Sequence, residues 1–337
     1  MRIERITQDG IMDPAVSTLH VIGRGTCGTI FGAPNSEVAY KKGKDIESLR
    51  NDFRLTNHMA ASMAVAKLYL QDATFAKVFP RVPCCHNFVR GDDRGNEWWA
   101  ANGSRFAHNP EYEDDDKPST IFALDRIWPV PEARRQDLAQ MFTDDKTIDV
   151  NDPANEACLI RLYFGKLEPT QQYDSLLNFE LHLNQMEQFG FDAQKIERYV
   201  SEMALGLAIA HWEAKIDCRD VEFVLGGNAS TPEHSMWMLD FDKARRLEFD
   251  DVDLMDKLKS GTMGNDPYFP SAVGESQMEK RVWKVFEEVY LKTAQAILEH
   301  NNVERKFKKL PLKFIKAWKT QANENKRAEE AQDDIFE

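Results

Sequence analysis

Four carboxylates and one lysine stand at spacings that could do chemistry. Asp217 precedes Glu222 by five residues in Ile216-Asp-Cys-Arg-Asp-Val-Glu-Phe-Val-Leu225, and Asp240 and Asp242 follow in Leu239-Asp-Phe-Asp242. A carboxylate can take a proton from an attacking group, and several together can hold a metal ion or a guanidinium. Far upstream, Gly23-Arg-Gly25-Thr-Cys-Gly28 is followed by Val38-Ala39-Tyr40-Lys41. Backbone amides of a glycine-rich turn approach phosphate closely, and a lysine on the next strand adds a point charge.

In phosphoryl-transfer sites of the kinase type, a catalytic Asp lies five residues before a metal-binding Asn, and a second metal-binding Asp follows a short hairpin. Asp217 and Asp240 match the two Asp positions, whereas Glu222 stands in place of the Asn. Reading Asp220 as the first carboxylate instead would put Leu225, which cannot ligate, at the metal position, so Asp217 is preferred. The glycine spacing also occurs in dinucleotide sites, where it joins a strand to a helix. Here Thr29-Ile-Phe31 reads as a strand, which favours a loop between two strands. Lys41, if it faces inward, needs a carboxylate on the next helix: Asp52 first, Glu47 second.

Certain elements must position these groups. Thr18–Ile22, Thr29–Phe31 and Glu37–Lys41 read as strands, and Asp45–Leu70 as a helix capped by Asp45. Trp98-Trp99 reads as a short strand among polar loops, one of which carries the acid run 113–116. Ile121–Ile127 reads as a buried strand running into Trp128-Pro-Val-Pro131, the connection between two lobes. Beyond it, Ile196, Tyr199, Val200, Met203 and Leu207 recur at helical spacing, as do Val282, Phe286, Val289, Tyr290, Thr293 and Ile297. Between these helices, Glu222–Leu225 and Met236–Leu239 form a hairpin pattern. The expected organisation is an α+β fold of two lobes: residues 1–130, strand-rich with one main helix; 131–323, mainly helical; and a polar tail, 324–337, expected to fray or be disordered.

Composition narrows the classes. The 337 residues are 42% hydrophobic and 29% charged, and no apolar run reaches the roughly 18 residues of a membrane span. The N-terminus carries acids where a signal peptide needs an apolar stretch, so the expected location is cytoplasmic. Five scattered cysteines suit a reducing compartment, and Cys84-Cys85-His86 lacks the second pair that a zinc finger needs. A formal charge of −13 argues against nucleic acid as a partner. Locally, however, Arg305, Lys306, Lys308, Lys309, Lys313, Lys316, Lys319, Lys326 and Arg327 form a basic segment. Leu312, Ile315 and Trp318 would bury one side of it, leaving Lys313, Lys316 and Lys319 either solvated or free to meet a phosphate backbone.

Taken together, Ile22-Gly-Arg-Gly25, Leu124-Asp-Arg-Ile127, Ile216–Gly226 and Leu239-Asp-Phe-Asp-Lys-Ala-Arg245 resemble a fungal protein-kinase-like family of unknown function whose members often carry the label zinc-finger protein. Part of that family is similar to the arginine-containing cyclodipeptide synthases. This resemblance implies a repurposed kinase-like fold that takes arginine from arginyl-tRNA and joins it to a second amino acid or aminoacyl-tRNA as a diketopiperazine, a natural product. An aminoacyl ester is already activated, so no cofactor is required. On this reading Asp217, Glu222, Asp240 and Lys41 are catalytic, and Asp52, Asp242, Gly23, Gly25 and Gly28 bind substrate. Lys308, Lys309, Lys313, Lys316 and Lys319 meet the tRNA, no metal is needed, and Asp217, Glu222, Asp240 and Asp242 could hold the guanidinium. Two other readings compete: a magnesium-ATP-dependent small-molecule phosphotransferase with Glu222 and Asp240 on the metal, and a catalytically inactive binding module.

Overall fold

The computed structural model describes residues 18–336 apart from 72, 74, 76–77, 107–116, 144–147, 168–172, 174, 229–230 and 266. The acid run 113–116 and the N-terminal segment read for a signal peptide lie outside the described residues. The N-terminal part is strand-rich: β1 (His20–Gly25), β2 (Gly28–Gly32), β3 (Val38–Gly43), α1 (Ile46–Leu70), β4 (Cys85–Val89), α2 (Asn96–Asn102) and β5 (Thr120–Asp125). Its five strands are ordered β1-β2-β3-β5-β4 with antiparallel neighbours. The rest is mainly helical: α3 (Glu132–Phe142), α4 (Pro153–Glu156), β6 (Ile160–Tyr163), β7 (Phe179–His182), α5 (Leu183–Gln188), α6 (Ala193–Ile209), β8 (Glu222–Asn228), β9 (Thr231–Leu239), α7 (Leu254–Met263), α8 (Gln277–His300) and α9 (Leu310–Phe336). A second sheet runs β7-β6-β8-β9, with β6 and β7 parallel. The expected α+β class, strand-rich first and helical after, is the class observed.

Local chemistry explains the main elements. Asp45 caps α1 by accepting from the amides of Glu47 and Ser48, and the helix buries Leu49, Asp52, Leu55, Met59, Met63, Ala66 and Leu70 along one stripe. A capping box of Ser276 and Glu279 starts α8, whose buried stripe holds every position predicted from the periodicity. Strand alternation sends Lys41 and Ala39 of β3 to the side of α1 and Tyr40 and Lys42 to the other. Lys42 is buried there over the ring of Trp99 at 5.4 Å.

Three expectations change. Trp98-Trp99 lies in α2, not a strand. Both indoles pack into one cluster with Tyr40 and Phe106, which neighbours on a strand, pointing to opposite faces, could not do. In α9, Leu312 is 48% exposed and Phe314 is buried instead, beside Ile315 and Trp318. The helix also continues to Phe336, through the segment read as a polar tail.

Candidate functional site

A cleft opens where the first sheet meets the helical part. Its walls include the β1–β2 turn with Gly23, Gly25, Cys27 and Gly28, then Lys41 on β3, Asp52 on α1 and Asp125 at the end of β5. Arg161 on β6, Glu222 and Val224 on β8, and Asp240 after β9 close the other side. Of the three predicted glycines, Gly28 is demanded by close approach, since a Cβ there would meet the Lys42 carbonyl oxygen at 2.5 Å. A Cβ at Gly25 would have open space, and one at Gly23 would make ordinary contact with Ile30.

Lys41 Nζ donates to Asp52 Oδ2 at 2.6 Å and to Asp240 Oδ1 at 2.7 Å. Burial alone would lower the Lys41 pKa, but the Asp52 and Asp240 charges outweigh it and hold the ammonium above the ordinary lysine value. Burial pushes the Asp240 carboxyl up, Lys41 pulls it down, and nearby Asp242 pushes it up again. Glu47, the second candidate partner, instead pairs with Arg50. Asp52 does more than pair: its Oδ1 accepts from the Phe241 amide at 3.0 Å and from Thr56 Oγ1 at 2.9 Å.

Helix α1 therefore clamps the acidic turn after β9. One turn of it supplies Ser48, whose hydroxyl donates to Asp242 Oδ2 at 3.0 Å, and Asn51, whose amide donates to the carbonyls of Asp242 and Ala244 at 2.7 and 2.9 Å. Asp240 sits at φ 63°. That left-handed conformation is unfavourable for a residue with a Cβ, and these tethers hold it.

Glu222 faces into the cleft and accepts from Arg161 Nη2 at 2.5 Å. The pair spans β8 and β6, whose antiparallel register aligns Arg161 with Val224. Asp217 is placed elsewhere. It is fully buried, and its carboxylate accepts from Arg245 Nε at 2.6 Å and from the amides of Arg245 and Arg219 at 2.8 and 3.2 Å. It braces the loop before β8 and does not line the cleft. Asp220 pairs with Lys243 at 2.6 Å, both side chains half-exposed.

The structure thus brings Lys41, Asp52 and Asp240 into one cluster beside Asp242, sets Glu222 in the same cleft, and withdraws Asp217. The sequence reading missed Arg161, Ser48, Asn51 and Arg245 as members of these networks. A charged residue inside the apolar strand pattern Ile160-Arg-Leu-Tyr163 was the available signal for Arg161. The predicted basic residues also divide. Lys308, Lys309, Lys313 and Lys316 are exposed, whereas Lys319 is engaged by Glu287 at 2.6 Å and Lys326 by Glu275.

A family described as "Zinc finger protein" matches residues 236–302, a minor part of the chain. No curated protein and no solved structure matches it. The matched segment contains no cysteine and a single histidine, His300, whose ring stacks on Tyr69 at 3.8 Å. Zinc fingers need four Cys or His donors, and among the described residues no group of three His, Cys, Asp or Glu could hold a metal ion.

Proposed function

We propose that the chain is a tRNA-dependent, arginine-containing cyclodipeptide synthase on a kinase-like frame that has been put to a new use. The frame is suggested by the order of its parts: a glycine turn between two strands, a lysine strand, a helix bearing that lysine's carboxylate partner, and a later hairpin ending in an acidic turn. The observation that carries the functional reading is the state of the cleft acids. Glu222 is engaged by Arg161 and Asp240 by Lys41, so fixed protein cations stand where nucleotide chemistry would want magnesium. A magnesium ion would have to share or displace both of these pairs.

Transfer from an aminoacyl ester asks for something else: two acyl groups held side by side, a base for the attacking amine, and a fixed charge near the carbonyl oxygen. Lys41 and Arg161 supply fixed positive charge, and the substrate guanidinium would share Glu222 and Asp240 with them. Asp217, bonded to Arg245, acts as a brace. The exposed lysines at 308, 309, 313 and 316 would meet the tRNA backbone.

The test is product analysis. Purified protein given arginyl-tRNA and no ATP should release an arginine-containing cyclic dipeptide; none from a mixture of all charged tRNAs would overturn the reading. A second reading, a nucleotide-dependent phosphotransferase, is favoured by the Lys41–Asp52–Asp240 cluster under a glycine turn. It requires that magnesium-ATP raise the melting temperature and that Asp240→Asn remove the shift.

A further inference from the structure

We propose that the end of the cleft farther from Lys41 is an apolar subsite, and that the second amino acid of the product carries an uncharged, apolar side chain; the inference rests on the aminoacyl-transfer reading above. A diketopiperazine ring carries its two side chains on opposite carbons. Each side chain therefore needs its own place, and the strand registers divide the cleft in two.

On β3, Lys41 and Ala39 face the cleft two residues, about 7 Å, apart. Lys41 pairs with Ile30 and Phe122, and its ammonium holds Asp52 and Asp240. Ala39 pairs with Gly32 and Leu124. A Cβ on Gly32 would meet Ile22 Cδ1 at 2.9 Å, so Ile22 covers the bare glycine of that row. Within one step of the pleat this wall passes from charge to Ile22, Ala39 and Leu124.

The opposite wall changes in the same direction. Glu222 and Val224 share the cleft face of β8, and Glu222 is bound to Arg161. Beyond Val224, a Cβ on Gly226 would meet Ile127 Cγ2 at 2.4 Å and Leu159 Cδ2 at 3.1 Å. With no side chain at 226, Ile127 from the segment after β5 and Leu159 from just before β6 close that end.

The charged residues lining this end are already engaged. Asp125 Oδ1 lies 3.1 Å from His86 Nε2, and its Oδ2 accepts from the Cys84 amide at 2.9 Å. Arg126 donates to the Ala33 carbonyl and stacks on Trp128 at 4.5 Å. Asn178, the residue before β7, lines the cleft as well but is neutral. A charged side chain placed there would give up water without gaining an uncommitted opposite charge. An apolar one buries its surface against both walls. The arginyl group is thereby directed to the acidic end and the second aminoacyl group to the apolar end.

The experiment gives the full chain an equimolar mixture of all charged tRNAs and identifies the cyclic dipeptides by mass spectrometry. Products joining arginine to an apolar residue should exceed those joining it to aspartate, glutamate, lysine, asparagine or a second arginine by at least about tenfold, the scale on which a hydrophobic pocket discriminates. Ala39→Leu fills the subsite from one wall and should shift the products about tenfold towards smaller second residues, with arginine retained. Val224→Ala enlarges it from the other wall and should shift them towards larger ones. A parent that favours a charged or amide-bearing second residue overturns the inference and leaves the synthase reading standing, as does an unchanged product ratio in every variant that melts cooperatively. A parent that makes no cyclic dipeptide from any charged tRNA overturns both.

Discussion

Arg161 Nη2 lies 2.5 Å from Glu222 Oε1 across two strands of the second sheet, and both side chains are mostly covered. Removing one partner leaves the other charge poorly hydrated. Arg161→Met and Glu222→Gln should each cost about 1–3 kcal/mol, and the double variant should cost less than the sum. Urea unfolding of the four proteins gives the coupling energy. Additive losses would mean that the pair contributes nothing.

Lys41→Met should be worse, because it leaves Asp52 and Asp240 facing each other with Asp242 close by. Breaking such a buried network costs roughly 3–5 kcal/mol. The Asp240 carboxyl is raised by burial, so the folded state holds that proton more tightly than the unfolded state, and stability through this group rises as pH falls. The Lys41→Met deficit should therefore shrink between pH 7 and pH 5. A deficit independent of pH would count against the carboxylate cluster as its cause.

His211 sets an acid limit. It is fully buried, with Nδ1 2.8 Å from the Tyr290 hydroxyl, which also accepts from Trp212 Nε1 at 2.9 Å. Burial pushes its pKa down to about 3. A depressed histidine contributes stability above its unfolded value of about 6.5 that is lost as pH falls towards 3, at up to ~1.4 kcal/mol per pH unit. His211→Phe should flatten the pH dependence of stability over that window, as read from melting temperatures at pH 7, 6 and 5.

The basic segment of α9 no longer acts as a unit. On the proposed tRNA-dependent reading, charge reversal at Lys313 and Lys316 should weaken tRNA binding and reduce the slope of log K against log salt by about 1 per lost phosphate contact, with little change in melting. Lys319→Glu should also lower stability modestly, because Lys319 faces Glu287 on α8. Filter binding at several salt concentrations, paired with thermal melts, separates the two effects.

Sequence alone determined the elements whose signals are local. The cap at Asp45, the buried stripes of α6 and α8, the glycine turn between two strands and the hairpin before Asp240 all follow from residue spacing, which backbone geometry reads directly. Asp52 as the partner of Lys41 was legible for the same reason, since alternation on β3 and periodicity on α1 turn both side chains inward.

Only tertiary structure decided which acids share a cleft. Asp217 and Glu222 are close in sequence, yet the loop between them passes through positive φ at Cys218 and Asp220 and sends one carboxylate into the core beside Arg245 and the other into the open cleft. Arg161 reaches Glu222 because strands far apart in sequence pair edge to edge. Charge neutralisation inside a protein depends on distance and burial, and spacing along the chain determines neither.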